Sequence, residues 1–287
     1  MKLQRALKIT VLPLLSIAFI AHAEKDSPPG ASKSTSTNLL ETGSAVLQSN
    51  APLKGFDIYL VGFHPMKDIP EKQMEAHHYC HQVNEDFAQC VLFDGNTKDA
   101  NMNGVEYIIS EKLFNQLPPQ EKQYWHPHNG EILSGQLIAP GIPAPVEHRL
   151  MQSKMNSYGK TWHVWHTGGP GDKGDALPLG PPMLAWSFNR DGEAKPELAS
   201  ERDKKLGVNT EEIRRSRADL QPLAKPQSGV DALKGQFKRD TQDIPGVVDS
   251  NAATEKNNPV LCLPFSPLRW GVFYMNFFNT HEISSFA

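Results

Sequence analysis

The 287-residue sequence is notable first for what it lacks. Beyond the N-terminus there is no run of 18 apolar residues, which excludes a membrane-spanning helix in the rest of the chain. There is no cationic excess. Lys and Arg number 29 against 32 Asp and Glu, a formal charge of −3, so the electrostatic footprint of a nucleic-acid binder is missing. No Gly-x-Ser-x-Gly elbow, no His-Glu-x-x-His pair and no glycine-rich phosphate loop occurs, so the common hydrolase, zinc-protease and nucleotide-binding templates do not apply. Glycine and proline, at 21 and 23 residues, are too few for a collagenous or low-complexity chain. What remains is 39% hydrophobic and 21% charged, enough to bury a core.

The N-terminus carries the pattern of a secretory signal peptide. Lys2, Arg5 and Lys8 precede an apolar run from Ile9 to Ala21, and Ala21-His22-Ala23 gives the small-x-small cleavage pattern. An N-terminal membrane anchor is the competing reading, for which the run is short. Cleavage after Ala23 leaves 264 residues with 26 basic and 32 acidic side chains, a formal −6. The expected location is periplasmic or secreted, where disulfides persist. The surplus of acids also counts against simple attraction to anionic lipid. Residues 24–50, rich in Ser, Thr, Gly and Pro, read as a disordered linker. Residues 51–223 read as the folded domain, 224–258 as a polar flexible segment, and 259–287 as an aromatic tail.

Within the domain, Phe56, Ile58 and Leu60 alternate with Asp57 and Tyr59 as a strand does. Met74–Val83 and Ala88–Asp94 predict two more strands joined at Asn84-Glu85-Asp86, a turn whose acids are expected to be solvated. Val105–Ile109, Glu131–Ala139, Thr161–His166 and Met183–Phe188 complete the strand set. Ser110 is placed to cap a helix from Glu111, and Pro119 to start another through Glu121. Val146, Leu150, Met151 and Met155 recur at helical spacing, with Gly159 as the expected C-terminal glycine. Asn209 with Glu212 predicts a last helix, to about Leu220. Strands interleaved with few helices predict a single α+β domain with a mostly antiparallel sheet and a few flanking helices.

Five ordered blocks carry a resemblance. They are the run from His77 to Cys90, Gly104-Val105-Glu106-Tyr107-Ile108-Ile109-Ser110, Trp125-His126-Pro127-His128, Tyr158-Gly159-Lys160-Thr161-Trp162-His163 and Leu177-Pro178-Leu179-Gly180. From about Leu53 to Arg190 the chain resembles the oil body-associated protein family, above all its bacterial members, described as a domain of unknown function. The resemblance implies a link to lipid droplets or, for an exported member, to the cell envelope, without an established activity or cofactor. Gly130 departs from the family block, where an aromatic residue is expected.

Histidine is the most suggestive residue type. His126 and His128 would share a face of an extended segment, as metal ligands often do, and Glu131 follows three residues on. Strand alternation pairs His77 with His81 and His78 with Cys80, and sends His163 and His166 to opposite faces. The candidate site therefore draws on His126 and His128 with Glu131 and with His78, His81 or His163, around a divalent metal such as zinc. The plain alternative is histidines hydrogen-bonded on a polar sheet face. Glu106, between apolar neighbours, is expected to face either the histidines or a lysine.

A hairpin centred on Glu85 places Cys80 opposite Cys90, within disulfide reach, although a pair of buried thiols fits as well. Trp125, Trp162, Trp165 and Trp186 are candidates to line an apolar pocket or meet a lipid surface, against ordinary core packing. Two functions follow. One is a non-catalytic extracytoplasmic protein engaging lipid or the envelope. The other is a metal-dependent enzyme built on the histidines.

Overall fold

The computed structural model describes residues 28–251. The leader at 1–23 and the tail at 259–287 lie outside the described residues. One sheet is formed by β1 (Ile58–Met66), β2 (Ile69–Asn84), β3 (Phe87–Phe93), β4 (Met102–Ile109), β5 (His126–Pro127), β6 (Tyr158–His163) and β7 (Met183–Leu184). Its order is β1-β2-β3-β4-β6-β5 with β7 beside β6. Every pairing in it is antiparallel. A separate ribbon pairs β8 (Arg190–Asp191) with β9 (Gln242–Asp243). The helices are α1 (Thr35–Leu47), α2 (Glu111–Gln116), α3 (Pro119–Lys122), α4 (Asn129–Leu133), α5 (Ala144–Lys154), α6 (Pro196–Leu206) and α7 (Thr210–Ser216). This is the α+β class that the pattern predicts. Ser110 and Asn209 cap α2 and α7 as expected, accepting from the amides of Leu113 at 3.3 Å and Glu212 at 3.0 Å.

Register decides which side chains meet. Leu60 opposes His78 and His64 opposes Met74 across β1 and β2. Cys80 opposes Cys90, Cys90 opposes Glu106, and Glu106 opposes Thr161 across the next three strands. Opposed residues share a face, so these positions form one surface. At one end it carries Leu60, Ala88, Leu92 and Ile108, packed with Ile132 and Leu133 of α4, Met151 of α5, Met155 and Leu220. Each such fully buried aliphatic side chain contributes about 1.5–3 kcal/mol. The other end of the same face carries the histidines.

Several expectations are corrected. Glu131–Ala139 is not a strand. Its first part is helix α4, and Ile138 bridges to the sheet, exchanging hydrogen bonds of 2.9 Å in both directions with Val61. All of 129–133 is buried, and a run buried on every side carries no period to distinguish helix from strand. Gly159 does not end α5, which stops at Lys154, but lies inside β6. The expected linker at 24–50 contains α1, capped by Ser34, none of whose residues is buried. The expected flexible segment at 224–258 is packed as far as it is described. Val230, Leu233, Phe237, Ile244 and Val247 are buried, and the Gln227 side chain accepts from Asn129 N at 3.1 Å and donates to the Ser157 carbonyl at 2.9 Å. Its apolar residues are too sparse for a period, yet they close the sheet face.

Cys80 and Cys90 are joined by a disulfide across β2 and β3. The 10-residue separation closes a short loop, so replacing both cysteines by serine is expected to lower stability by about 2–3 kcal/mol. Of the three cysteines in the chain, Cys262 alone should react with a thiol reagent in denatured, unreduced protein. Three reactive thiols would contradict the bridge.

Candidate metal centre

Strand alternation brings His64 of β1, His78 of β2, Glu106 of β4 and His163 of β6 to the covered face. His126 of β5, His128 before α4 and Glu131 in α4 close on them from the side. All seven are buried, with His126 and His163 at 0% exposure. In β4 the usual pattern is inverted, since Val105 and Tyr107 are exposed while Glu106 between them is 2% exposed. A carboxylate in that position needs compensating partners.

It has them. Glu106 Oε2 lies 2.8 Å from His78 Nε2, and its Oε1 lies 3.2 Å from His128 Nε2 and 3.6 Å from His126 Nε2. His128 is held from both sides. Ser157 Oγ donates to the Lys154 carbonyl at 2.8 Å, which commits its one proton. The 2.8 Å bond between Ser157 Oγ and His128 Nδ1 therefore takes its proton from the imidazole. Its other ring nitrogen, Nε2, faces a Glu106 carboxylate oxygen across 3.2 Å, a gap that a proton on the ring or a bound cation fills. Neither ring nitrogen of His126 has a hydrogen-bond partner. On the other side, His163 Nδ1 donates to the Asn103 carbonyl at 3.3 Å and turns Nε2 toward His64 Nδ1, 3.0 Å away.

Electrostatics follow from burial. Desolvation, with like-charge neighbours, lowers the pKa of His126 to about 3 and of His163 to about 4, and holds His64 well below its ordinary value. Burial alone would raise Glu106, but His78, His128 and His126 outweigh it and hold the carboxyl well below its usual range. Burial raises Glu131 well above its usual range, and the Glu106 charge adds to the effect. Neutral imidazoles beside an ionised carboxylate are the protonation states that metal binding needs. Three sets of donors lie within 4.8 Å of one another: His64-His78-Glu106, His64-His126-Glu131 and Glu106-His126-His128. Ligands sharing one zinc at about 2.0–2.1 Å sit about 3.3 Å apart in tetrahedral geometry, and the Glu106 contacts fall on either side of that value.

Of the sequence candidates, His78, His126, His128, His163 and Glu131 converge. His81 does not: it lies on the opposite face, with Nδ1 2.9 Å from the Gly55 carbonyl oxygen. His64 was missed, although continuing the alternation of Ile58 and Leu60 through Gly62 reaches it. The tryptophans form no common ligand surface. Trp125 packs with Ile109, Phe114 and Tyr158, while Trp186 packs with Phe63 and Phe188 against His126. Trp162 and Trp165 are half-buried, and Trp165 donates to the Asp175 carbonyl at 2.9 Å.

Two glycines make the chamber possible. A Cβ on Gly159 would strike Glu106 Oε1 and come within 2.6 Å of the His126 ring, while one on Gly130 would lie 2.6 Å from the Phe188 carbonyl oxygen. The missing aromatic side chain at Gly130 therefore has no room here. Gly159→Ala is expected to cost about 3 kcal/mol, read from the denaturation midpoint, as overpacking beside a buried charge. An unchanged midpoint would show that the packing is looser than described.

The profile of a family described as "Protein of unknown function (DUF1264)" matches residues 50–221. Oil body-associated protein 1A of Zea mays is 41% identical over 205 residues, covering 71% of this chain and 83% of the relative. Oil body-associated protein 1B of Arabidopsis thaliana is 37% identical, covering 71% and 82%. This chain belongs to the oil body-associated protein family. Oil body-associated protein 2B of Arabidopsis thaliana is 40% identical over 192 residues, covering 66% and 76%. No solved structure matches. The family match stops at 221, whereas Gln227 and the buried residues up to Val247 pack onto the same body. Among the described residues of this family member, no helix is long and apolar enough to cross a membrane.

Proposed function

We propose that this oil body-associated family member is an extracytoplasmic, non-catalytic protein whose fold is closed around a divalent metal ion, zinc by ligand chemistry. The observation that carries the reading is the convergence of buried imidazoles on one buried carboxylate, with Glu106 oxygens 2.8 Å from His78 Nε2, 3.2 Å from His128 Nε2 and 3.6 Å from His126 Nε2. Glu106, His126 and His128 lie close enough to hold one zinc ion, and His78 faces the second oxygen of Glu106. Closure favours a structural role over the enzymatic alternative, because catalytic zinc keeps a position open to substrate and these side chains are almost entirely buried. The leader-like N-terminus and the Cys80–Cys90 disulfide support export.

Contact with lipid, suggested by the relatives' name, is assigned to α1 and not to the tryptophans. Leu39, Leu40, Val46 and Leu47 are exposed and fall along one side of that helix. The segment carries one acid and no base, which suits an uncharged lipid surface.

Chain exported without a tag and purified from the extracytoplasmic fraction tests each part. Its intact mass should start at Glu24, elemental analysis should find zinc, and it should float with triglyceride droplets coated in phosphatidylcholine. A retained leader would overturn export. Metal-free protein from zinc-replete medium would overturn the centre, and failure to float would overturn lipid contact.

A further inference from the structure

We infer that the centre holds two divalent ions bridged by the Glu106 carboxylate, an inference that rests on the metal reading above. The two oxygens of Glu106 serve different histidines. Oε2 faces His78 at 2.8 Å, while Oε1 faces His128 at 3.2 Å and His126 at 3.6 Å. The donor sets His64-His78-Glu106 and Glu106-His126-His128 share Glu106 and nothing else. Each supplies two imidazoles and one carboxylate oxygen, the facial share of an ion's ligands. His163 Nε2, 3.0 Å from His64 Nδ1, sits on the first side of this division.

Ligand number supports the division. Five imidazoles and two carboxylates crowd one chamber, whereas a tetrahedral ion takes four donors. The third set, His64-His126-Glu131, takes one histidine from each half and adds a second carboxylate. That is where a second bridge belongs when two ions lie about 3.5–4 Å apart. Two divalent ions against two ionised carboxylates leave a charge of +2. A buried charge of that size has to be met, so a small anion from solvent, hydroxide being the simplest, completes the pair.

The test is manganese loading of the untagged full chain, followed by removal of free metal, elemental analysis and electron paramagnetic resonance. Two manganese ions per chain with a spin-coupled signal are expected. His64→Ala and His128→Ala, each checked for folding by circular dichroism, should retain one ion and lose the coupling. Two ions with uncoupled spectra would overturn the bridge, and one ion in the wild type would overturn the second site. No bound ion would overturn the reading of the centre itself, a result distinct from either.

Discussion

Glu106→Gln is expected to abolish stoichiometric metal binding and to lower stability by about 3–5 kcal/mol, the cost of removing one partner from a buried charge cluster. The substitution preserves volume, so a loss cannot be assigned to a cavity. It removes the charge that both His78 and His128 face and puts an amide where a ligand oxygen was. Loss of an outer partner of a metal ligand costs 10–100-fold in affinity, so loss of a ligand common to all the nearby histidines should exceed about 100-fold. The stabilisation conferred by bound metal on the native state should vanish with it. Glu121→Gln is the control. Its carboxylate pairs with Lys160 at 2.6 Å near the surface, and its loss should cost less than about 1 kcal/mol. Isothermal titration with zinc and urea denaturation read both effects. Unaltered zinc affinity in the Glu106 variant would remove the carboxylate from the site.

Acid should destabilise the metal-free protein well before ordinary carboxylates titrate. The folded-state pKa values of His64, His126 and His163 are all depressed from an ordinary 6.5. Their contribution is fully present above that value and is lost as pH falls toward the folded values, about 3 for His126 and about 4 for His163. Glu131 acts in the opposite sense. Its raised folded pKa makes it a burden above its ordinary 4.5 that acidification relieves. His126 and His163 leave the unfolded chain with an excess of up to about two protons between pH 6.5 and 4.5, a loss of up to about 5 kcal/mol, to which His64 adds and which Glu131 opposes. Glu106, held low, adds to the loss below 4.5. Bound metal should leave over the same window, because protons compete for the imidazoles. Melting temperatures of chelator-treated protein from pH 7 to 4.5 check this. A flat profile would mean that the histidines titrate as if exposed.

Much of this arrangement was legible in the sequence, for identifiable reasons. A two-residue period fixed the β2–β3 hairpin, so Cys80 opposite Cys90 followed from arithmetic that the register repeats. The same period separates His81 from His78, which are an odd number of residues apart, and His81 indeed hydrogen-bonds on the far face. His64 was hidden because β1 is buried on both sides. Val61 and Phe63 are as inaccessible as His64, and Arg202 of α6 lies 5.0 Å over the Phe63 ring, so hydrophobicity does not alternate there. His126 and His128 converge for a reason other than strand alternation, since β5 ends at Pro127 and His128 already has helical backbone angles. The segment after Leu223 looked polar because its polar groups are used inward. Gln227 is 1% exposed and bridges the backbone of Asn129 and Ser157.

The central claim is that a cation belongs between Glu106 and its histidines. Anomalous diffraction at the zinc edge, from crystals of untagged protein prepared with zinc, addresses it most directly. A peak is expected about 2.0–2.2 Å from Glu106, His126 and His128. An empty chamber, with the peak absent or bound to surface histidines such as His148, would contradict it.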